Sequence, residues 1–391
     1  MTQALMPTYG ERTLTFVRGE GAYLFDASGR RFLDFGAGIA VTSIGHSHPH
    51  MVKVLQDQVA QVLHTSNLYL IPNQIKAGER LCENSFADVV FFGNSGAEAN
   101  EGLIKLVRKH HAHHGHPERY RMITIEGAFH GRTLATIAAG GNPKHLEGFG
   151  PPVEGFDQVP FGNMNALRDA ITKETAGVLL EPVQGEGGIR PMDLDYLREV
   201  RKACDEFGIL MCLDEVQCGM GRTGKLFAYE WAGIEPDVMA AAKGLGGGVA
   251  VGAVLATKKA AVGMTAGTHG STYGGNPLST AAVNAVLDVV LEDGFLDHVV
   301  ERGNYLRAEC EKLVERHPKV FGDVRGAGLM LGLVAVPPNG EVVGKATEKG
   351  LLTVPAGDNV VRLIPPLTIT DAEVDEAIKI LDETAAAMEA S

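Results

Sequence analysis

Lys243 is the residue with the clearest potential for covalent chemistry. It follows the apolar run Val238–Ala242 and precedes the glycine-rich stretch Gly244–Gly248. Burial of an amine lowers its pKa, which suits a lysine that forms a Schiff base, and the glycines let a ligand approach the backbone closely. A surface lysine at the end of a strand would give the same local pattern, so this residue alone does not decide the chemistry.

Asp214 directly follows the clearest buried strand in the sequence, Ile209–Leu213. An acid at the carboxyl end of a central strand lies where α/β enzymes bind ligands, and it could pair with the protonated ring nitrogen of a pyridinium cofactor. A nucleotide hydrolase is the alternative, because Gly219–Lys225 matches the first seven positions of a P-loop. Leu226 replaces the hydroxyl that would bind Mg²⁺, which argues against the hydrolase.

Two segments rich in small and hydroxylated residues could bind a phosphate. Ser95-Gly96-Ala97 joins a strand-like run to a helical one, and the N–H groups at a helix N-terminus attract anions. Ser271-Thr272 lies in a polar loop just before the next helical segment. Simple capping by Ser95 and an ordinary turn at the second segment are the alternatives.

Side chains elsewhere could recognise a planar ring and a carboxylate. Phe129 could stack on a cofactor, and Arg132 could bind a carboxylate through two hydrogen bonds. Arg362 interrupts an apolar strand-like run, so it needs an acid partner, which could be a substrate or Glu186 in the loop Glu181–Gly188. A packed Phe, a surface Arg and a salt-bridging loop are the alternatives.

A cluster of histidines lies near the end of a helical segment. Its members are His110, His111, His113, His114 and His116. Some have the spacing of metal ligands on one helix face, but no acid lies near them in sequence to orient the rings. Protonated rings also suit a helix C-terminus, so we expect a solvated helix end and no metal site.

The elements that must position these residues indicate an α/β fold. Between residues 88 and 257, short apolar runs alternate with amphipathic helical patterns, which is typical of a mostly parallel sheet covered on both faces. The helical patterns Leu278–Leu291 and Phe295–Arg316 follow, then three strand-like runs, and then a last helix over Asp371–Met388 with Thr370 as its N-cap. This second part predicts a smaller α+β domain.

The domain prediction has three parts. Short strands before residue 36 surround a turn at Asp26–Gly29, and we expect them to pack on the C-terminal part. The chain therefore divides into an N-terminal segment (1–65), a large ligand-binding domain (66–276) and a small domain (277–391).

Composition excludes several classes of protein. The 391 residues carry a formal net charge of −13, which argues against a general nucleic-acid or membrane-surface binder. No apolar run has the length of a membrane span, and the first eighteen residues lack the order of a secretion signal. Five scattered cysteines without a CxxC pair fit reduced thiols. We expect a cytoplasmic protein with no nucleic-acid or membrane partner.

Taken in order, these motifs resemble the class III family of aminotransferases, which use pyridoxal 5'-phosphate. The resemblance covers nearly the whole chain, and its motifs are Gly45-His46 with Pro49, Asn94–Ala99, Phe129–Arg132, Glu181–Glu186, Asp214–Gln217, Gly221–Gly224, Lys243-Gly244 and Thr272 before Gly274–Pro277. The resemblance implies a fold-type I architecture, with a large domain around a mostly parallel sheet and a smaller α+β domain.

The resemblance also implies roles around the cofactor ring. Lys243 would bind the cofactor aldehyde and later move a proton on the substrate. Asp214 would pair with the pyridinium nitrogen, Gln217 would hydrogen-bond the phenolic oxygen, and Phe129 would stack on the ring.

At the phosphate, the resemblance implies two contributions. Ser95, Gly96 and Ala97 would hold the phosphate within one subunit. Thr272 would reach the phosphate of the neighbouring subunit, so the protein would be an obligate homodimer with shared active sites.

For the substrates, the resemblance implies a switch between two arginines. Arg132 and Arg362 match positions that bind carboxylates, and Glu186 matches the acid that covers Arg362 between half-reactions. An ω-amino acid presents an amine far from its carboxylate, whereas 2-oxoglutarate has carboxylates at both ends, and a switchable pair accommodates both. Ser271 and Asn67 complete the predicted substrate site.

The donor is inferred from one position in particular. Ornithine aminotransferases carry a Tyr six residues before the Gly-His motif, where this chain has Ile39, so a neutral acylated amine is better tolerated than a free one. The run His64–Tyr69 also resembles the branch that uses acetylornithine, although Thr42 and Ser43 depart from it. We expect transfer of the δ-amino group of N²-acetylornithine to 2-oxoglutarate, in arginine biosynthesis. Succinylornithine, succinyl-diaminopimelate, ornithine and 4-aminobutyrate are the alternative donors.

Overall fold

The computed structural model describes residues 4–10 and 13–390. Residues 1–3 and 11–12 of the predicted N-terminal segment and residue 391 of the predicted small domain lie outside the described part of the chain. The strands are β1 (Phe16–Glu20), β2 (Tyr23–Asp26), β3 (Arg31–Asp34), β4 (Val89–Gly93), β5 (Arg121–Ile125), β6 (Phe156–Val159), β7 (Thr175–Leu180), β8 (Val183–Gln184), β9 (Arg190–Pro191), β10 (Leu210–Asp214), β11 (Val238–Ala241), β12 (Gly252–Ala256), β13 (Phe321–Ala327), β14 (Met330–Ala335), β15 (Leu351–Leu352), β16 (Val354–Ala356) and β17 (Val360–Leu363). The helices are α1 (Ala37–Ala40), α2 (Pro49–Val59), α3 (Pro72–Glu83), α4 (Gly96–His113), α5 (Leu134–Gly140), α6 (Pro143–Leu146), α7 (Met164–Ala170), α8 (Leu194–Phe207), α9 (Pro277–Val290), α10 (Phe295–Arg316), α11 (Asn339–Glu348) and α12 (Asp371–Glu389).

The apolar runs of the central part form one seven-stranded sheet in the order β4-β12-β11-β10-β7-β5-β6. Neighbours from β11 to β6 are parallel, and β12 runs antiparallel to both β11 and β4. The mostly parallel sheet expected from the sequence is confirmed. Its parallel strands end at one edge, which is where a ligand site is expected.

Helices cover both faces of this sheet, which explains why its strands are apolar at every position. Along β10, Met211 and Leu213 pack in the core that contains α8 and α9, whereas Leu210 and Cys212 face the core under α4. The alternation of side chains across a strand thus places successive apolar residues in different cores.

The second unit is an antiparallel sheet in the order β13-β14-β17-β16, packed against α10, α11 and α12. The amphipathic pattern over Phe295–Arg316 forms α10 with the predicted bounds, after a left-handed Gly294. The N-cap predicted for the last helix is also confirmed, because Thr370 Oγ1 accepts from Glu373 N and Thr370 N donates to Glu373 Oε2.

The N-terminal strands join the C-terminal part of the chain. They form a sheet in the order β1-β2-β3-β15, in which Leu33 pairs with Leu351 in parallel. Helix α9 begins at Pro277, at the boundary proposed for the small domain, and it packs with α2 and α3 in the core of the large sheet. Among the described residues, no helix combines the length and apolarity needed to cross a membrane.

One strand differs from its expected bounds. The apolar run from Val249 predicts a strand to Thr257, but β12 begins only at Gly252. The turn before it is tight, because a Cβ on Gly246 would lie 2.0 Å from Val249 O. Residues 248–251 consequently form a loop that lines a cavity at the end of the sheet.

Candidate active site

A cavity of about 510 Å³ opens at the carboxyl edge of the parallel strands. It brings together most of the predicted site residues, although they come from four separate segments of the chain. The predicted residues in its lining are Ser95, Gly96, Ala97, Phe129, Arg132, Asp214, Gln217 and Lys243.

Lys243 lies two residues beyond the end of β11, in a strained backbone conformation. Its φ is +48°, a value that costs energy for a residue with a side chain and is often found at functional sites. The next residue, Gly244, is confined by Met220 and Ser43, whose Cβ atoms are both 3.4 Å from the position a Cβ would take. Burial lowers the pKa of the Lys243 amine, Glu186 opposes this effect, and Arg362 adds to it.

Asp214 is the last residue of β10, and three donors fix its buried carboxylate. Asn100 Nδ2 and His130 Nδ1 donate to Oδ2 at 2.7 and 2.8 Å, and Val216 N donates to Oδ1 at 3.0 Å. Burial alone would lower the pKa of the His130 imidazole. The hydrogen bond to Asp214 and the Coulomb attraction of Asp214 outweigh burial and raise this pKa. The His130 ring and the Asn100 amide thus hold the Asp214 carboxylate in place at the base of the cavity.

Glu181 and Glu215 are buried near Asp214, and both have structural roles. Glu181 accepts from Phe129 N at 2.9 Å and so fixes the backbone that carries the Phe129 ring. Burial, and next the charge of Asp214, raises the pKa of Glu181 to about 7. Glu215 accepts from Ala228 N and Tyr229 N, and burial raises its pKa to about 8.

The N-terminus of α4 forms the opposite end of the cavity. Ser95 is its N-cap and accepts from Glu98 N at 3.2 Å, so the capping alternative is confirmed for this residue. The packing around it is close: a Cβ on Gly96 would lie 2.7 Å from Val216 Cγ1, and a Cβ on Gly252 would lie 2.2 Å from Ser95 O. Free N–H groups of the first turn therefore face a space that admits an anion.

Arg362 and Glu186 form an ion pair beside the cavity. Arg362 Nη1 and Nη2 donate to the two carboxylate oxygens of Glu186 at 2.6 and 3.1 Å, and Nη1 also donates to Gln217 Oε1 at 3.0 Å. The Arg362 side chain is 1% exposed and that of Glu186 is 33% exposed. Burial raises the pKa of Glu186, but Arg362 outweighs it and lowers the pKa overall. The charge of the buried arginine is thus neutralised within the chain.

Five predicted residues lie outside the lining of this cavity within the described chain, namely Asn67, Glu186, Ser271, Thr272 and Arg362. Asn67 Nδ2 donates to Ser271 O at 3.2 Å and to Gly274 O at 2.9 Å, so Asn67 and Ser271 are brought together. Asn94 Nδ2 donates to Ser271 Oγ at 3.2 Å and connects this loop to the cavity wall. Thr272 is exposed on the surface.

The histidine cluster and the P-loop-like segment both make structural contacts. His110 donates to Ala260 O and His111 donates to Ala176 O, and the described residues contain no group of three or more metal-ligating side chains. In the P-loop-like segment, buried Arg222 donates to Leu329 O and Pro365 O, so this loop joins the two units of the fold. Burial lowers the pKa of Arg222 to about 9.

The family model described as Aminotransferase class-III matches residues 6–385. The chain belongs to this family. A relative from Brucella melitensis biotype 1, named acetylornithine aminotransferase, is 59% identical over 378 residues, which cover 97% of this chain and 94% of that protein.

Solved structures of aminotransferases share the whole fold. The crystal structure of N-acetylornithine aminotransferase from Stenotrophomonas maltophilia K279a has a TM-score of 0.86 and 38% identity, with 98% of each chain covered. The ornithine aminotransferase from Toxoplasma gondii, whose active site holds PLP at partial occupancy, has a TM-score of 0.95 and 29% identity, covering 99% of this chain and 93% of that one.

Two residues of this class III aminotransferase site were missed from the sequence. Asn100 and His130 both contact Asp214, and Asn100 also donates to His130 O at 2.9 Å. A signal was present for Asn100, because it is a polar residue on the buried face of the amphipathic helix α4. His130 lies inside the motif Phe129–Arg132, but within that motif the sequence predicted roles only for Phe129 and Arg132.

Proposed function

We propose that this aminotransferase moves the δ-amino group of N²-acetylornithine to 2-oxoglutarate, giving N-acetylglutamate 5-semialdehyde and glutamate. The relatives named acetylornithine aminotransferase, which are 58–59% identical over almost the whole chain, support this reaction. Its place would be arginine biosynthesis. The observation that carries the proposal is the ion pair of Arg362 with Glu186 beside Gln217.

The cavity fits pyridoxal 5'-phosphate in a fold-type I arrangement. The lysine amine has a lowered pKa, a carboxylate held by Asn100 lines the same cavity, and the N–H groups at the start of α4, where Gly96 packs against Val216, are available to a phosphate. When bound, the cofactor supplies a ring that withdraws electrons from the carbon bearing the amino group. Asp214 would hold the ring nitrogen, Ser95, Gly96 and Ala97 the phosphate, and Gln217 the phenolic oxygen.

Lys243 would also move protons. Because burial lowers the pKa of its amine, the neutral form that accepts a proton is more available than for an exposed lysine. Its backbone has a φ of +48°, and its side chain lines the cavity. Lys243 Nζ would take the proton from the amine-bearing carbon of the substrate and pass it to the cofactor carbon that receives the amino group, and the opposite half-reaction would reverse this transfer.

The ion pair would select between the two substrates. While Glu186 neutralises Arg362, the wall beside Gln217 suits the uncharged chain of an acylated donor. A dicarboxylate would displace Glu186 and pair with Arg362, and the partial exposure of Glu186 leaves it room to move. Exposed Arg132 would bind the single carboxylate of the acylated donor and, in the other half-reaction, the second carboxylate of the dicarboxylate.

Ile39 would favour an acylated donor over free ornithine. It lies in the left-handed turn α1, with a φ of +65°, two residues before Val41 in the cavity wall. An isoleucine offers no hydrogen bond to a charged α-ammonium group, so a free amine there would lose hydration without compensation. An N-acetyl group avoids that cost.

A homodimer would complete the site. A surface near the 271–273 loop exposes apolar side chains, among them Leu68 at 85%, Leu70 at 86% and Tyr273 at 63% exposure. Large exposed apolar side chains of this kind mark interaction surfaces. A second copy that covers them would bring Thr272 towards the phosphate of its partner, with Ser271 and Asn67 close to the substrate.

An absorbance titration tests the proposed reaction directly. N²-acetylornithine is added to purified holoenzyme without any oxo acid, and the bound cofactor is expected to change from its aldehyde form to its amine form. Ornithine and 4-aminobutyrate are the matched comparisons. A spectrum that responds to either of them but not to N²-acetylornithine would contradict the proposed donor, and the absence of a cofactor band would contradict the cofactor.

Cytoplasmic location and the domain bounds 1–65, 66–276 and 277–391 stay predictions.

A further inference from the structure

A side chain from the N-terminal part of the chain reaches the segment that contains Lys243. Ser43 is buried, and its Oγ donates to Gly244 O at 2.9 Å. Within the described residues, no other side chain hydrogen-bonds to the backbone of residues 242–248. The reaction proposed above assigns no role to Ser43.

The strained backbone of Lys243 needs contacts that hold it. A residue with a side chain at a φ of +48° persists only where its surroundings fix it, since this conformation costs about 1–3 kcal/mol. Gly247 N also donates to Gly244 O, but at the longer distance of 3.3 Å. The hydroxyl of Ser43 therefore makes the shorter hydrogen bond to the backbone just after the lysine.

The backbone of Ser43 is itself held from two directions. Ser43 N donates to Val41 O at 2.9 Å, and Val41 lines the cavity proposed for the cofactor. Leu367 N donates to Ser43 O at 2.7 Å, and Leu367 lies shortly after β17, the strand that carries Arg362. The cavity wall and the small domain thus both fix the position from which the hydroxyl reaches Gly244.

Ser43 is separate from the charged groups around the Lys243 amine. The charges that act on this amine are those of Glu186, Arg362, Asp214 and Glu181. In the described part of the chain, none of these four residues hydrogen-bonds to Ser43. A change at Ser43 therefore reaches the amine through the backbone and leaves the charged neighbours of the amine unaltered.

We propose that Ser43 is a positioning residue for Lys243, and that its hydroxyl holds the strained backbone so that the lysine amine stays within reach of the reacting carbon. This inference rests on the proposed function, because it needs Lys243 to bind the cofactor and to move the substrate proton. Proton transfer requires hydrogen-bond distance, and a misplacement of about 1 Å can lower a rate roughly 100-fold. A residue that sets this position affects the chemical step with both substrates.

The test compares three substitutions in the holoenzyme. Ser43→Ala removes the hydroxyl, Ser43→Cys fills nearly the same space with a weaker donor, and Thr384→Val is the matched control. Thr384 is fully buried in α12, and its Oγ1 donates to Ile380 O at 2.6 Å, so the control also removes a buried hydroxyl bonded to a carbonyl. Two quantities are measured. The first is kcat and kcat/KM for N²-acetylornithine and for 2-oxoglutarate, and the second is the pH midpoint of the absorbance change of the lysine-bound cofactor.

We expect Ser43→Ala to lower kcat and kcat/KM about equally, by about 10-fold for both substrates, as loss of a contact that acts only on the chemical step would. The pH midpoint should rise by about half a unit, because a less firmly held nitrogen is better hydrated, and hydration favours its protonated form. Ser43→Cys should lie between Ser43→Ala and the wild type. Thr384→Val should match the wild type in both quantities.

A wild-type kcat and a wild-type midpoint in Ser43→Ala would overturn the positioning role, even if the free energy of unfolding falls. A lower kcat with an unchanged midpoint would also overturn it. If Ser43→Ala does not fold, Ser43→Cys is judged by the same two quantities. A wild-type holoenzyme without the band of the lysine-bound cofactor, or without transfer from N²-acetylornithine, would instead contradict the proposed function.

Discussion

The proposed cofactor half and the proposed substrate half of the site are built differently. In the cofactor half, Asp214 lies at the end of a central strand, and its partners Asn100 and His130 are almost fully buried. In the substrate half, Glu186 is partly exposed, and Arg132 is exposed. A cofactor stays in place through every cycle, whereas two substrates of different charge must alternate. The rigid half therefore suits the constant ligand, and the adjustable half suits the changing ones.

Lys243 should give the largest effect, because it belongs to the rigid half and has no substitute among the residues that line the cavity. We expect Lys243→Ala to lower kcat by about 10⁴-fold, the upper range for loss of a positioned acid–base group. The absorbance band of the lysine-bound cofactor should disappear as well. Retained turnover in Lys243→Ala would refute the role given to this lysine.

Substitution of Asp214 should give the second-largest effect. Asp214→Asn keeps the shape of the side chain but removes the charge that would hold the ring nitrogen protonated. We expect kcat to fall by about 10²- to 10³-fold, as with other single electrostatic contacts at a reacting group. Cofactor affinity, measured by equilibrium dialysis, should change much less. A kcat equal to that of the wild type would remove the electrostatic role.

The sequence predicted the rigid half better than the adjustable one. The ends of the apolar runs identified Lys243 and Asp214, because the carboxyl ends of parallel strands meet at one edge. Asn100 and His130 were missed, since their contacts with Asp214 join residues 114 and 84 positions apart. No local pattern reveals such distant partners.

The turn α1 shows a second limit of prediction from sequence. Ala37, Gly38, Ile39 and Ala40 all have positive φ, between +45° and +65°, although alanine and isoleucine disfavour this region. The carboxylate of Asp34 stabilises the turn, because its Oδ1 accepts from Gly36 N at 3.0 Å and from Ala37 N at 2.8 Å. The conformation therefore depends on tertiary contacts, which propensity does not capture.

Glu181 allows a pH test of the rigid half. Its pKa is raised from 4.5 to about 7 in the folded protein, so folding favours the protonated form. Its stabilising contribution is complete below pH 4.5 and is lost as pH rises through 7, by up to roughly 3 kcal/mol in the free energy of unfolding. The measurement is urea unfolding of wild type and Glu181→Gln between pH 5 and 8. Parallel pH profiles for the two proteins would contradict the raised pKa.

Glu186 tests the adjustable half. In Glu186→Ala, Arg362 loses its carboxylate partner and remains a buried, unneutralised cation. We expect kcat/KM for the N²-acetylornithine half-reaction to fall about 10-fold, and that for glutamate to change less, because glutamate supplies its own carboxylate. Single-turnover absorbance measurements give the two half-reactions separately. Equal effects on both would contradict the switch.

Thr272 should give the smallest effect, because it would add one hydrogen bond to the phosphate from the partner subunit. We expect Thr272→Ala to weaken cofactor binding about 3- to 10-fold, with Thr272→Ser close to wild type and Thr265→Ala as a surface control. Hybrid dimers of Thr272→Ala with Lys243→Ala make the test sharper. If Thr272 acts across the interface, the site that keeps Lys243 receives the intact Thr272 of the other subunit and regains wild-type affinity. If it acts within its own subunit, that site keeps the weakened affinity, and the phosphate site would then be complete in a single chain.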